Sequence, residues 1–336
     1  MRGMRIAVND VYRFAWRHMR ALPAPLGYGL FRVGADAAWG LHRLGGGLVG
    51  VGQLEKNLAR VLPASTTPGR VRMASRKAMR SYMRYFYEAF ALSGMSEEQI
   101  LARVRTDMSP QVRADLERGS IVLAMSHMGN WDLAGAWACR RLAPVLTVAE
   151  RLEPVDLFEQ FVSFREGLGM TIIGQGRGER VFDRLVDAAQ EGGPYVIPLL
   201  ADRDLSAFGV EVDLCGHVAR FAAGPAALAQ RLGLPLYAGT IHYEILSGDR
   251  RRAAGSRWGL VLTLREVPCP QGPQGSSIRE RVVAHTRAWA AVMGPLLAKH
   301  AIDWHMLQPV FDADLDQERL ARSHARDQQG AHEEDA

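Results

Sequence analysis

Apolar residues recur at helical spacing in two stretches of the first hundred residues, and from Ile121 onward short apolar runs alternate with helical stretches. Over residues 1–20, Met4, Val8, Val11, Tyr12, Ala15 and Met19 share one stripe at 100° per residue. Arg2, Arg5, Arg13, Arg17 and Arg20 lie on the other side. The pattern predicts an amphipathic helix that Pro23 and Pro25 end. Such a helix either lies in a membrane interface with its arginines at anionic headgroups, or packs its stripe on the domain. Phe14 and Trp16, off the stripe, widen the surface open to lipid. A second helix is predicted over residues 69–92, where Arg72, Arg76, Arg80 and Arg84 stack on one face and Lys77 widens the stripe. That stripe is either a solvated face or a surface for headgroups or phosphates, because like charges four apart repel unless an anion offsets them.

Further along, strands are predicted at 120–125, 145–150, 195–200, 236–245 and 258–267, and helices at 130–141, 179–190, 224–232 and 278–300. Residues 210–214 and 218–221 read as a hairpin. Pro225 in the first turn of one helix and Gly233 just past its end fit the usual asymmetry of helix termini. No internal repeat and no long linker interrupts the pattern. The fold class expected is α/β: a single catalytic domain (69–316) with a central mixed β-sheet flanked by helices. An N-terminal helical region expected to associate with membrane (1–68) precedes it, and an acidic tail expected to be disordered (317–336) follows.

Composition narrows the picture. At 336 residues with 48% hydrophobic content, the chain can bury a full-sized core. Its most apolar region, 21–52, is broken by Arg32, Asp36, His42 and Arg43, so no membrane-spanning helix is expected. No secretory signal is expected either. Cys139, Cys215 and Cys269 lack metal-type spacing and form no even disulfide set, which suits core thiols in a reducing compartment. Net charge is +5, unevenly spread: from Phe311 onward eight acids face three arginines, leaving +10 on residues 1–310. A basic body suits anionic lipid or a phosphorylated substrate. The chain carries no nucleic-acid-binding signature, so nucleic acid is not expected as a partner.

The candidate chemistry starts at Ser126-His127-Met128-Gly129-Asn130-Trp131-Asp132. Of ten histidines, His127 alone has an acid five residues on. It follows a predicted strand and precedes a helix capped by Asn130, which places it at a strand's carboxyl end, where open α/β sheets bind ligands. An imidazole with a carboxylate partner can deprotonate a hydroxyl for attack on an activated acyl group. A second cluster, Ala201-Asp202-Arg203-Asp204-Leu205, follows another predicted strand. Were the two strands parallel neighbours, Asp202 could reach His127 and fix its tautomer. Asp132 competes for that role, although an acid in a first helical turn also serves as a cap. Arg203 reads as a phosphate ligand or the partner of an acid, and Arg165 as an anion ligand or a surface residue.

These motifs, with Gly224-Pro225-Ala226-Ala227-Leu228-Ala229, Asp303-Trp304-His305-Met306-Leu307-Gln308-Pro309 and the early 54–63 segment, resemble the lysophospholipid-type acyltransferases of bacteria. Within that group the chain is most similar to the actinobacterial phosphatidylinositol mannoside acyltransferases, relatives of the lipid A lauroyl and myristoyl transferases. The resemblance covers nearly all of residues 1–316. It implies a peripheral enzyme at the cytoplasmic face of the plasma membrane. Its substrates would be a long-chain acyl-coenzyme A, typically palmitoyl, and a mannose hydroxyl of a glycolipid. It implies His127 as base, Asp132 as its motif partner, Asp202 as the acid completing a relay, and Arg165 near the acyl donor. Arg203 and Asn130 are the remaining candidates for substrate contact. Backbone N–H groups near Gly129 and Asn130 are expected to hold the oxyanion. No metal and no cofactor beyond the acyl-coenzyme A co-substrate is expected. The acceptor stays open between a phosphatidylinositol mannoside and a lipid A precursor or another glycolipid. A lipid-binding relative without catalysis is the contrary reading, which the intact His127, Asp132 and Asp202 oppose. A serine hydrolase would need a Gly-x-Ser-x-Gly elbow that this sequence lacks.

Overall fold

The computed structural model describes residues 18–19, 22–45, 49–150, 155–176, 180–270, 275–318 and 320–321. The amphipathic helix expected over residues 1–20 and most of the acidic tail lie outside the described residues. Three helices come first: α1 (Ala24–Arg43), α2 (Val49–Val61) and α3 (Pro68–Ala91). Then follow α4 (Glu97–Arg103), β1 (Val104–Asp107), α5 (Gln111–Arg118), β2 (Ile121–Met125), α6 (Trp131–Arg141) and β3 (Val145–Glu150). The middle of the chain forms α7 (Val155–Gly167), β4 (Met170–Gln175), α8 (Val181–Glu191) and β5 (Val196–Leu200). The hairpin β6 (Val210–Leu214) and β7 (His217–Phe221) leads to α9 (Gly224–Leu232) and β8 (Leu236–Ile245). The chain closes with α10 (Gly248–Ala254), β9 (Trp258–Glu266) and α11 (Ile278–Lys299).

The main sheet has seven strands in the order β1-β9-β8-β2-β5-β3-β4. Every neighbouring pair is parallel except β8–β9, so the sheet is mixed, as the sequence pattern predicts. All five residues of β2 are buried, which explains its unbroken apolar run. Alternate side chains feed two cores. Val122 and Ala124 join Leu54, Leu58, Leu228, Trp289 and Met293 on one face, while Ile121, Leu123 and Met125 join Ile100, Leu116, Leu133 and Trp137 on the other.

β2 and β5 lie side by side, with Met125 opposite Leu200. From β2 the chain crosses through α6 to β3, beyond β5; from β5 it crosses through the hairpin and α9 to β8, beyond β2. Two adjacent strands whose connections leave in opposite directions form a switch point, and a crevice opens at their carboxyl ends. His127 and Asp202 follow those two ends.

α1 corrects one reading of the sequence. Pro23 and Pro25, expected from the sequence to stop a helix, begin a 20-residue one, with Pro23 at its N-cap and Pro25 in its first turn. Proline is tolerated there because first-turn N–H groups have no intrahelical acceptor. The basic stripe of α3 is also partly explained from α1. Arg76 and Arg80 both bond Asp36, at 2.9 Å and 2.6–2.7 Å. The Arg80 hydrogen bond, foremost, holds the Asp36 carboxyl well below the usual carboxylate range. α2 packs into the main core through Val51, Leu54 and Leu58, and Asn57 donates to the carbonyls of Met306 (2.8 Å) and Gln308 (2.9 Å).

Candidate active site

The loop from Ser126 to Asn130 is clamped before any side chain is considered. Gly129 has φ +60°, and a Cβ there would meet the Ile241 carbonyl oxygen at 2.6 Å, so only glycine lets the loop press on β8. Its N–H donates to the Asp303 carbonyl at 3.0 Å, and the His305 N–H donates to the His127 carbonyl at 2.7 Å. Asn130 then caps α6, its Oδ1 accepting the Leu133 N–H at 3.0 Å.

Asp202 sits directly across. Its Oδ1 lies 2.5 Å from His127 Nδ1, and its Oδ2 accepts the His127 backbone N–H at 3.0 Å. Trp304 Nε1–H donates to the same Oδ2 at 2.7 Å. Asp202 is fully buried, whereas the His127 side chain is 36% exposed. An anionic Asp202 can only accept, so Nδ1 is the donor and Nε2 is left as the open lone pair. Burial depresses the His127 pKa, but the Asp202 charge and hydrogen bond outweigh it and set the ring above its ordinary value. Burial pushes Asp202 up, and the His127 charge, with bonds from His127 and Trp304, more than reverses that.

Asp132 lies elsewhere. Its Oδ1 accepts from Arg165 Nε at 2.7 Å and its Oδ2 from the Tyr85 hydroxyl at 3.1 Å, within a site only 2% exposed. The structure therefore brings His127 to Asp202 and pairs Asp132 with Arg165. Arg165 is accordingly not a surface residue, and the Asp132 charge raises its pKa. The Asn130 side chain is also internal: its Nδ2 donates to Glu88 at 3.0 Å, and the whole residue is buried. Arg203 forms no ion pair among the described residues; it donates to the Pro309 carbonyl at 2.9 Å, and burial lowers its pKa. One expectation needs correcting. The Gly129 N–H is already bonded to Asp303 and is not free to hold an oxyanion.

The family model for "Bacterial lipid A biosynthesis acyltransferase" matches residues 2–312. This chain belongs to the bacterial lipid A biosynthesis acyltransferase family. It is similar to a phosphatidylinositol mannoside acyltransferase of Mycolicibacterium smegmatis, 36% identical over 94% of this chain and 95% of the relative. A protein of the same name from Mycobacterium tuberculosis is 35% identical over 96% of this chain and 94% of the relative. Both findings agree with the resemblance seen in the motifs.

Several residues around the His127–Asp202 pair are invisible to spacing arguments. Trp304 reaches Asp202 from 102 positions away, and Tyr85 reaches Asp132 from 47. His305 is buried, and its Nε2 lies 3.2 Å from the Ser81 hydroxyl. Burial, followed by the charges of Arg84 and His127, pushes its pKa down to about 3, so it stays neutral. Its ring joins Tyr82, Tyr85 and Trp131, at centroid distances of 5.3–6.4 Å, and Trp131 stands edge-on to His127 at 6.2 Å. The site thus has an apolar aromatic wall beside its imidazole. The only hint in the sequence was the Asp303-Trp304-His305 string, to which spacing gives no role. Among the described residues no group of three His, Cys, Asp or Glu is placed to hold a metal. No described helix is long and apolar enough to cross a membrane.

Proposed function

We propose that this acyltransferase moves a long acyl chain, palmitoyl, from its coenzyme A thioester to a mannose hydroxyl of a phosphatidylinositol mannoside, working at the cytoplasmic face of the plasma membrane. The observation that carries the reading is the His127–Asp202 pair: a half-open imidazole fixed by a buried carboxylate at the sheet's switch point. His127 Nε2 takes the proton from the sugar hydroxyl as its oxygen attacks the thioester carbonyl, a step that contributes about 10²–10⁴-fold. The carbon–oxygen bond forms and the carbonyl oxygen becomes an oxyanion. We assign that charge to the Trp131 N–H in the first turn of α6, since helix N-termini leave such donors without an intrahelical partner. The carbon–sulfur bond then breaks, and His127 returns its proton to the coenzyme A thiolate. Asp202 holds the imidazolium throughout and Trp304 holds Asp202. The aromatic wall of Tyr82, Tyr85 and Trp131 suits an apolar chain.

Relatives at 35–36% identity over nearly the whole chain, both bearing the mannoside name, favour that acceptor. The family model's description favours a second reading, a lipid A precursor or a similar glycolipid as acceptor. One experiment separates them: pure protein, labelled palmitoyl-coenzyme A and a panel of glycolipids, with products identified by mass. Label on a phosphatidylinositol mannoside, lost in His127→Ala, is the expected result. Label on none of the acceptors, or equal labelling by His127→Ala, overturns the proposal.

A further inference from the structure

A cavity of ≈ 740 Å³ lies between α1, α3 and the far end of β8 and β9. Six cationic residues line it: Arg32, Lys77, Arg80, Arg84, Arg251 and Arg257. Of these, only Arg80 is ion-paired among the described residues, with Asp36. The one acid in the lining, Asp303, is buried, and its carboxylate already accepts from Ser81 (2.6 Å) and the Tyr243 N–H (2.9 Å). The Arg84 guanidinium lies 3.5 Å from the Trp258 ring centroid and 4.4 Å from that of Tyr243, so its plane is set before any ligand arrives. Converging like charges on concave walls raise the local potential for an anion, and guanidinium groups match phosphate oxygens bidentately. A solvated basic face would not need its arginines fixed on aromatic rings inside a cavity.

The cavity also borders the site already described. Ser81, in its lining, bonds His305, and the Asp303 carbonyl holds the Gly129 amide of the His127 loop. We propose that this cavity binds the phosphate group of a substrate, with Arg84 as the fixed ligand and Lys77, Arg251 and Arg257 closing on it. Two phosphates fit that chemistry: the phosphodiester of an inositol lipid and the phosphates of coenzyme A. Only the choice between these carriers rests on the proposed acyl transfer.

The test uses the full chain and reads binding without turnover, so it stands apart from any test of the chemistry. Affinity for coenzyme A is measured by calorimetry. Affinity for phosphatidylcholine vesicles with and without phosphatidylinositol is measured by sedimentation. The triple variant Lys77→Gln/Arg251→Gln/Arg257→Gln removes exposed charges only. A second triple variant, Arg113→Gln/Arg141→Gln/Arg231→Gln, removes as many exposed charges elsewhere. The cavity variant should weaken one or both affinities about tenfold or more, with the other variant close to wild type. Weakening confined to coenzyme A assigns the donor's phosphates, and weakening confined to inositol vesicles assigns the lipid headgroup. If the cavity variant binds both like wild type, or the remote variant weakens binding equally, the proposal fails. Should the triple variant not fold, the three single substitutions carry the same comparison.

Discussion

Trp304 donates its indole N–H to Asp202 at 2.7 Å, on the oxygen that also accepts the His127 amide. Asp202 therefore has both oxygens committed inside a fully buried site. Its position, and with it the angle of the imidazole, is set by a residue from the far end of the chain.

Replacing Trp304 by Phe keeps an aromatic ring in a fully buried site but removes that donor. A hydrogen bond to a buried charge contributes about 1.5–3 kcal/mol, so acyl transfer should fall roughly 10- to 100-fold. Steady-state kinetics beside a thermal melt check this. Unchanged turnover in a folded variant would remove Trp304 from the relay.

The pH profile reports on the same pair. Base catalysis needs neutral His127, whose pKa is raised above its ordinary 6.5, so activity should climb with pH through a limb lying above 6.5. In Asp202→Asn the raising charge is gone, and burial with the Arg203 charge lowers the ring. The limb should then move below 6.5, while the plateau drops about 10²–10⁴-fold. Asp132→Asn should leave the limb of any residual activity in place, because Asp132 bonds Arg165 and Tyr85 instead. A profile that shifts with Asp132 and not with Asp202 would reverse the assignment.

Much of this was legible in the sequence where local pattern and burial agree. β2 announces itself as an apolar run because it is buried on both faces, and α9 by Pro225 and Gly233. β1 is four residues at a sheet edge with mixed exposure, and α4 is seven residues; neither is long enough to show a period. α1 hides behind its glycines and prolines, since Gly27 exists to admit the Tyr87 ring rather than to break the helix. The choice between Asp132 and Asp202 was not readable either. It depends on β2 and β5 being neighbours, and only the order of strands in the sheet decides that.

Arg165 and Asp132 make a different prediction, about stability. Both are largely withdrawn from water, with side chains 18% and 2% exposed. Arg165→Met should cost about 3 kcal/mol or more by leaving the Asp132 charge buried without its partner. Adding Asp132→Asn to that variant should recover part of the loss, because the stranded charge disappears. Urea denaturation of the two single variants and the double variant gives the coupling directly. Additive losses would mean that the two side chains are neighbours without an energetic link.

Glu88 offers the sharpest contrast between charge and shape. Its Oε1 accepts from the Tyr28 hydroxyl at 2.7 Å and from Arg103, and its Oε2 from Asn130 (3.0 Å) and the Tyr243 hydroxyl (2.8 Å). Four donors converge on a carboxylate with no exposure, beside an Arg103 side chain that is 1% exposed. Glu88→Gln keeps the shape but turns an amide N–H₂ toward donors and strands the Arg103 charge, so a loss of about 3–5 kcal/mol is expected at neutral pH. Burial pushes the Glu88 carboxyl up, but the Arg103 charge and the hydrogen bonds outweigh it and hold the pKa below 4.5. A depressed carboxyl stabilises the fold above its ordinary value, and that contribution is lost as pH falls through the folded value. The gap between wild type and Glu88→Gln should therefore narrow as pH falls below 4.5, seen as converging urea midpoints. A gap that stays constant from pH 7 into that range would show that the four bonds matter by geometry alone, with no net role for the charge.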